Sequence, residues 1–118
     1  YGKEIREQYG PEAVEESNAR LLSMTEEEHG RWKALEAEIL SALAAAVRAG
    51  EAPAGPEGRR IAQLHRRWLC CTWAKYTPQA HRGVAELYTA DERFAAYYDK
   101  EVPGCAAFLR DAVRAYTE

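Results

Sequence analysis

Between Thr25 and Gly50 the chain carries a complete helix signature, and no other stretch constrains the fold as strongly. Thr25-Glu26-Glu27-Glu28 has the capping-box pattern, in which the Thr25 hydroxyl accepts from a free backbone amide and Glu28 reaches back. Trp32, Leu35, Ile39, Leu43, Ala46 and Val47 then recur at helical spacing, and Gly50 supplies the stop. A helix this long must bury its apolar stripe. No segment shows the period-2 alternation of a strand, so other helices have to cover it.

The rest of the chain is punctuated the same way. Gly10-Pro11 opens a segment running to about Ser23, with Pro11 suited to a first helical position. Residues 51–58, EAPAGPEG, read as a mobile linker. A third helix carries Ile61, Leu64, His65, Trp68, Leu69 and Thr72 on one stripe. Thr77-Pro78 marks the start of a fourth, which presents Ala80, Val84, Leu87 and Tyr88. Thr89-Ala90-Asp91-Glu92 reads as a second capping box, opening a short fifth helix with Phe94, Tyr97 and Tyr98. Pro103-Gly104 ends it and begins the last, with Cys105, Phe108, Leu109, Ala112, Val113 and Tyr116 on its stripe.

These boundaries predict an all-α domain of about six helices spanning residues 1–118. Residues 1–23 form a mobile N-terminal helical segment and 59–118 an aromatic-rich core. Helices this short must cross at angles, and steep crossings leave clefts where ligands sit. Apolar residues make up 47% of the chain, enough for a core without metal or disulfide support. The net charge of -3 argues against nucleic-acid binding by this segment itself, because phosphate contact needs a concentrated basic face. There is no membrane-spanning run and no signal peptide, and a chain starting at Tyr1 reads as a fragment. Cys70, Cys71 and Cys105 are a poor disulfide framework, which points to a reducing, cytoplasmic compartment.

Catalytic chemistry finds little support. His65 and His81 lie on different helices, and no C-x-x-C or H-E-x-x-H spacing occurs, so no metal or other cofactor is expected. Cys105 near a helix start is either a buried stripe residue or a thiol activated by the helix terminus, and the stripe favours burial. Glu26, Glu27, Glu28, Glu36 and Glu38 fall in a first turn or on polar faces.

The aromatic residues carry the functional signal. Of twelve, eight fall between Trp68 and Phe108, and the plain reading of such a set is core filling. Phe94 and Phe108 read as core. Trp73 and Tyr76 flank Lys75 where the chain turns, a poor place to bury both. Tyr97 and Tyr98 are adjacent on a helix, so one faces the core and the other an opening. Tyr88 either lines a cleft or closes the core. His65, beside Trp68 and Leu69, is either a satisfied core histidine or a hydrogen-bonding group on a pocket wall.

The run HRRWLCCTWAKYTPQAHRGVAELYTADERF, followed by AAYYDKEVPGCAAFLRDAVRAY, resembles the TipAS family of antibiotic-recognition domains. His81 to Phe94 is the most specific piece, and the resemblance covers nearly the whole chain. It implies a globin-like helical arrangement without haem, found as the effector domain of MerR-type transcription activators or as free drug-sequestering proteins. The implied ligands are bulky apolar antibiotics such as thiopeptides or albicidin-like aromatic oligomers. It also implies N-terminal helices that close over the ligand, at an ordering cost of roughly 2–5 kcal/mol. Thiopeptide-binding members trap the drug on a cysteine near the start of the fourth helix. Ungapped counting places that position at Gly83 here, so non-covalent capture is expected.

The combined expectation is non-catalytic binding, with the ligand stacked on Trp68, Trp73, Tyr76 and Tyr97 or Tyr98. His65 and His81 supply hydrogen bonds, and Leu69 and Tyr88 lie on the same wall. DNA enters only through a domain outside this segment. The alternative is a protein-interaction domain whose aromatic face docks a partner helix.

Overall fold

The structure, a computed structural model, describes Ala19 and residues 22–117. Helix α1 spans Glu26–Arg48, α2 Pro56–Cys70, α3 Pro78–Ala90, α4 Glu92–Asp99 and α5 Cys105–Tyr116. The described residues are thus all helical or in turns. The segment expected as a first helix, residues 11–23, lies almost wholly outside them, as does the N-terminal region expected to close over a ligand.

α1 begins and ends as its sequence dictates. Thr25 Oγ1 accepts from Glu28 N at 3.1 Å, and Glu28 Oε1 accepts from Thr25 N at 3.1 Å. At the other end Gly50 takes φ +70, its N–H donates to Val47 O, and Glu51 N–H donates to Ala46 O. That paired closure is a Schellman motif, and the left-handed backbone it needs is cheap only for glycine.

The expected linker is shorter than its composition implies. Pro56 starts α2 with Gly55 as N-cap, so residues 56–58 are helical. Proline at a first helical position forfeits only an amide that would be unpaired anyway. Gly58 is buried, and a Cβ there would sit 1.8 Å from the Pro53 carbonyl oxygen. The turn before α2 therefore folds back onto the helix's own first turn, and only glycine admits it. Gly58→Ala should destabilise the domain by about 2 kcal/mol, lowering the thermal midpoint by roughly 5–10 °C. An unchanged midpoint by circular dichroism would show that the turn relocates freely.

Two other boundaries differ from expectation. α2 ends at Cys70, which leaves Thr72 in the following turn. The cap of α4 is Asp91, whose Oδ1 accepts from Arg93 N at 2.9 Å. Thr89 remains inside α3 and its hydroxyl donates to Glu86 O. An aspartate carboxylate beside the free amides out-competes a hydroxyl two residues earlier. Gly104 has no side chain with which to cap α5, so Asp99 Oδ1 at the end of α4 accepts from Ala106 N at 2.8 Å.

α5 packs against both α2 and α3, α1 lies on α2, and α4 lies on α3. Leu43, Ile61, Leu109 and Val113 are fully enclosed where these helices meet. Burying each contributes roughly 1.5–3 kcal/mol. On α1 burial starts only at Ile39, while Trp32 and Leu35 nearer its start are half-covered. Trp32 is thereby left on a half-open surface.

Candidate ligand-binding site

The helical period of α2 sets His65 and Trp68 one turn apart, and that of α3 sets His81 and Tyr88 two turns apart. Where the helices face each other the two imidazoles meet. His65 Nδ1 lies 2.9 Å from His81 Nε2, with the rings stacked at 5.0 Å between centroids. Tyr88 OH lies 2.9 Å from His65 Nε2, and Tyr76 OH lies 2.7 Å from His81 Nδ1. All four ring nitrogens are engaged.

Both histidines are completely buried. Burial, and then the neighbouring His81, hold His65 well below the ordinary imidazole range. Burial, then the Arg66 charge, bring His81 down to about 4. Both are neutral at physiological pH, each with one N–H. The chain Tyr76–His81–His65–Tyr88 then has two consistent directions. Either both rings carry the proton on Nε2 and the chain donates towards Tyr88, or both carry it on Nδ1 and it donates towards Tyr76.

Around this chain runs a file of aromatic rings. His29 and Trp32 of α1 lie 5.6 Å apart, Trp32 stacks on Trp68 at 5.8 Å, and Trp68 stacks on His65 at 5.7 Å. Beyond His81 the file reaches Tyr76 at 5.4 Å and Tyr116 at 6.2 Å. Trp73 lies 6.4 Å from Tyr76. The file emerges at two half-exposed faces, Trp32 with Trp68 and Trp73 with Tyr76. The Trp68 Nε1–H is buried and has no acceptor among the described residues. Such a donor costs about 1–3 kcal/mol if left unpaired.

The expected binding residues therefore divide. Trp68, Trp73, Tyr76 and Tyr97 remain partly exposed, whereas His65, Leu69, His81, Tyr88 and Tyr98 are buried. Of the adjacent tyrosines, Tyr98 is the core residue and packs 4.7 Å from Tyr88, which closes the core with Phe94. This removes Tyr98 from the set that presents a free ring face. Tyr97 ties α4 to α1, its hydroxyl donating to Glu36 and its ring under Lys100. Sequence reasoning read Trp32 and Tyr116 as ordinary stripe residues and passed over Arg66. Periodicity assigns a face but not how far the neighbouring helix extends.

The Cys71 and Cys105 thiols are not activated. Cys105 is buried, as its stripe position implied, and burial pushes the Cys105 and Cys71 thiols up. Gly83 lies within α3, which contains no cysteine. Among the described residues no group of three or more potential metal ligands occurs.

Helix order, buried histidine pair and aromatic file together define an all-α domain built around an aromatic wall. The family model of the TipAS antibiotic-recognition domain matches residues 1–116, and the chain belongs to that family. It is 33% identical to the HTH-type transcriptional activator TipA of Streptomyces coelicolor, over 98% of this chain and 46% of TipA. It is 31% identical to the HTH-type transcriptional activator mta of Bacillus subtilis, over 100% of this chain and 45% of mta. The chain thus spans about half the length of these relatives. Among solved structures, TipAS of Streptomyces lividans in complex with the thiopeptide nosiheptide superposes with a TM-score of 0.82 at 30% identity, over 99% of this chain and 82% of that one.

Proposed function

We propose that this domain binds bulky, mostly apolar antibiotics by equilibrium association, without catalysis, in the cytoplasm. It would serve as the effector part of an HTH-type transcription activator of the MerR class or as a drug-sequestering protein. The observation that carries this reading is the aromatic file with its two half-exposed faces, in a chain of the TipAS family. Rigid rings give large apolar contact at small entropic cost. The relatives are named as transcriptional activators and the solved neighbour holds a thiopeptide, which supports a signalling or sequestering role over an enzymatic one. No described helix is long and apolar enough to cross a membrane, in keeping with a regulator that works beside DNA.

The ligand rests on Trp68, Trp73 and Tyr76, and Trp32 extends the first face. His65 and His81 act indirectly: they fix the Tyr76 hydroxyl from behind and need not touch the ligand. Capture is non-covalent, given Gly83.

The test is quenching of tryptophan fluorescence by nosiheptide and by an aromatic oligoamide. Trp68→Ala, folded by circular dichroism, should weaken binding at least about tenfold, the loss typical of an aromatic anchor. Equal binding by the folded variant would remove Trp68 from the site. Trp68→Phe keeps a ring and deletes the unpaired N–H, so its stability should match or exceed that of the wild type. Concentration-dependent self-association or partner association, with no response to either compound, would assign the aromatic face to a protein instead.

A further inference from the structure

Five of the described arginines form ion pairs. Arg31, Arg60, Arg93, Arg110 and Arg114 each pair with a carboxylate. Arg66 has no carboxylate partner among the described residues, and its guanidinium is held by aromatic groups. Its NH1 donates to Tyr116 OH at 3.2 Å, and its central carbon sits 4.2 Å from the centroid of the Tyr76 ring. Two turns earlier on α2, Arg59 lies over the Tyr116 ring at 5.8 Å. The chain holds 19 acidic residues against 16 basic ones, so acids are not scarce. The groups that act on the Arg66 charge are the Tyr116 and Tyr76 phenols and the Cys70 thiol, and the charge in turn acts on the buried His81.

A guanidinium docked on one ring and anchored by one hydroxyl has lost much of its rotational freedom before any anion arrives. One of its five N–H donors is committed to Tyr116, and the others have no acceptor among the described residues. The paired oxygens of a carboxylate match that fork, and the flanking rings suit an aromatic group bearing it. The geometry points to an aryl-carboxylate subsite centred on Arg66, with Arg59 adding a second positive charge, at the rim of the Trp73–Tyr76 face. This rests on the binding function proposed above and specifies it: the preferred ligands end in an aromatic acid next to their apolar body.

The test compares 4-benzamidobenzoate with its primary amide by calorimetry at low salt. The wild type should bind the acid about tenfold more tightly than the amide, a preference that shrinks as salt is raised. Arg66→Gln should abolish the advantage of the acid over the amide. Arg66 is exposed, so the fold should survive the substitution, and circular dichroism checks it. Equal binding of acid and amide by the wild type overturns the subsite, as does a preference that survives in Arg66→Gln. Nosiheptide quenching separates the two readings. Quenching without any acid preference overturns the subsite and leaves antibiotic binding intact. An Arg66-dependent acid preference without quenching upholds the subsite and overturns the thiopeptide reading.

Discussion

Acidification from pH 7 to pH 5 should destabilise the domain by at least about 2 kcal/mol, through the buried histidine pair. The sign follows from which state takes up protons. His81 has a folded value of about 4, against an ordinary imidazole value of 6.5. Below pH 6.5 the unfolded chain binds a proton that the folded chain refuses. Stability is therefore full above that range, falls as pH drops through it, and levels off only near pH 4. The unit slope is about 1.4 kcal/mol per pH unit, so the whole His81 contribution is on the order of 3 kcal/mol. His65 is also held well below the ordinary imidazole range, with burial as the main cause, and adds a contribution of the same sign. A domain of this size has a total stability of about 5–15 kcal/mol, so the loss is a large fraction of it. Urea titrations at pH 7, 6 and 5 measure the slope. His81→Gln, which retains a donor and an acceptor but does not titrate, should flatten it by about half. A wild-type midpoint that stays constant from pH 7 to pH 5 would show that the imidazoles are hydrated or already charged in the native state.

The helix boundaries fixed by local chemistry were the legible part of the fold. The Thr25 box, the Gly50 stop and the Thr77-Pro78 start each rest on contacts within a few residues, and each forms as read. The boundary before α4 failed because Thr89 and Asp91 are both competent caps, and which one wins depends on where α3 frays. Composition misjudged residues 56–58 because the fit of Gly58 against Pro53 depends on the path of the preceding turn. The candidate site was legible in kind, not in arrangement. The aromatic concentration after Trp68 was visible, and so was its split between core and opening. The pairing of His65 with His81 was not. The two are separated by a helix end and a turn, and only the packing of α2 and α3 side by side on α5 brings their nitrogens together. His65, read either as a satisfied core histidine or as a wall donor, and His81, read as a donor to the ligand, thus satisfy one another in the interior.

That mutual satisfaction makes removal of both rings less damaging than the two single removals added together. His65→Ala strips a partner from His81 Nε2 and from Tyr88 OH, and takes away the ring on which Trp68 stacks. The orphaned His81 nitrogen costs about 1–3 kcal/mol, and the lost Tyr88 contact and the cavity left by the imidazole add to that. A loss on the order of 4 kcal/mol is expected by urea denaturation at pH 7. Tyr76→Phe deletes only the terminal hydroxyl at a half-exposed position, and about 1 kcal/mol should follow. The double variant His65→Leu/His81→Leu exchanges the whole imidazole contact for hydrocarbon. It should cost less than the sum of His65→Leu and His81→Leu, because each single variant leaves a lone imidazole nitrogen facing an apolar neighbour. It should also abolish most of the acid sensitivity. Additive costs would mean that the rings are independently solvated. A His65→Ala loss no larger than that of Tyr76→Phe would mean that the chain of hydrogen bonds does not hold α2 to α3. If the non-additivity is found, the pair both ties α2 to α3 and anchors Tyr76 at the open face of the aromatic file.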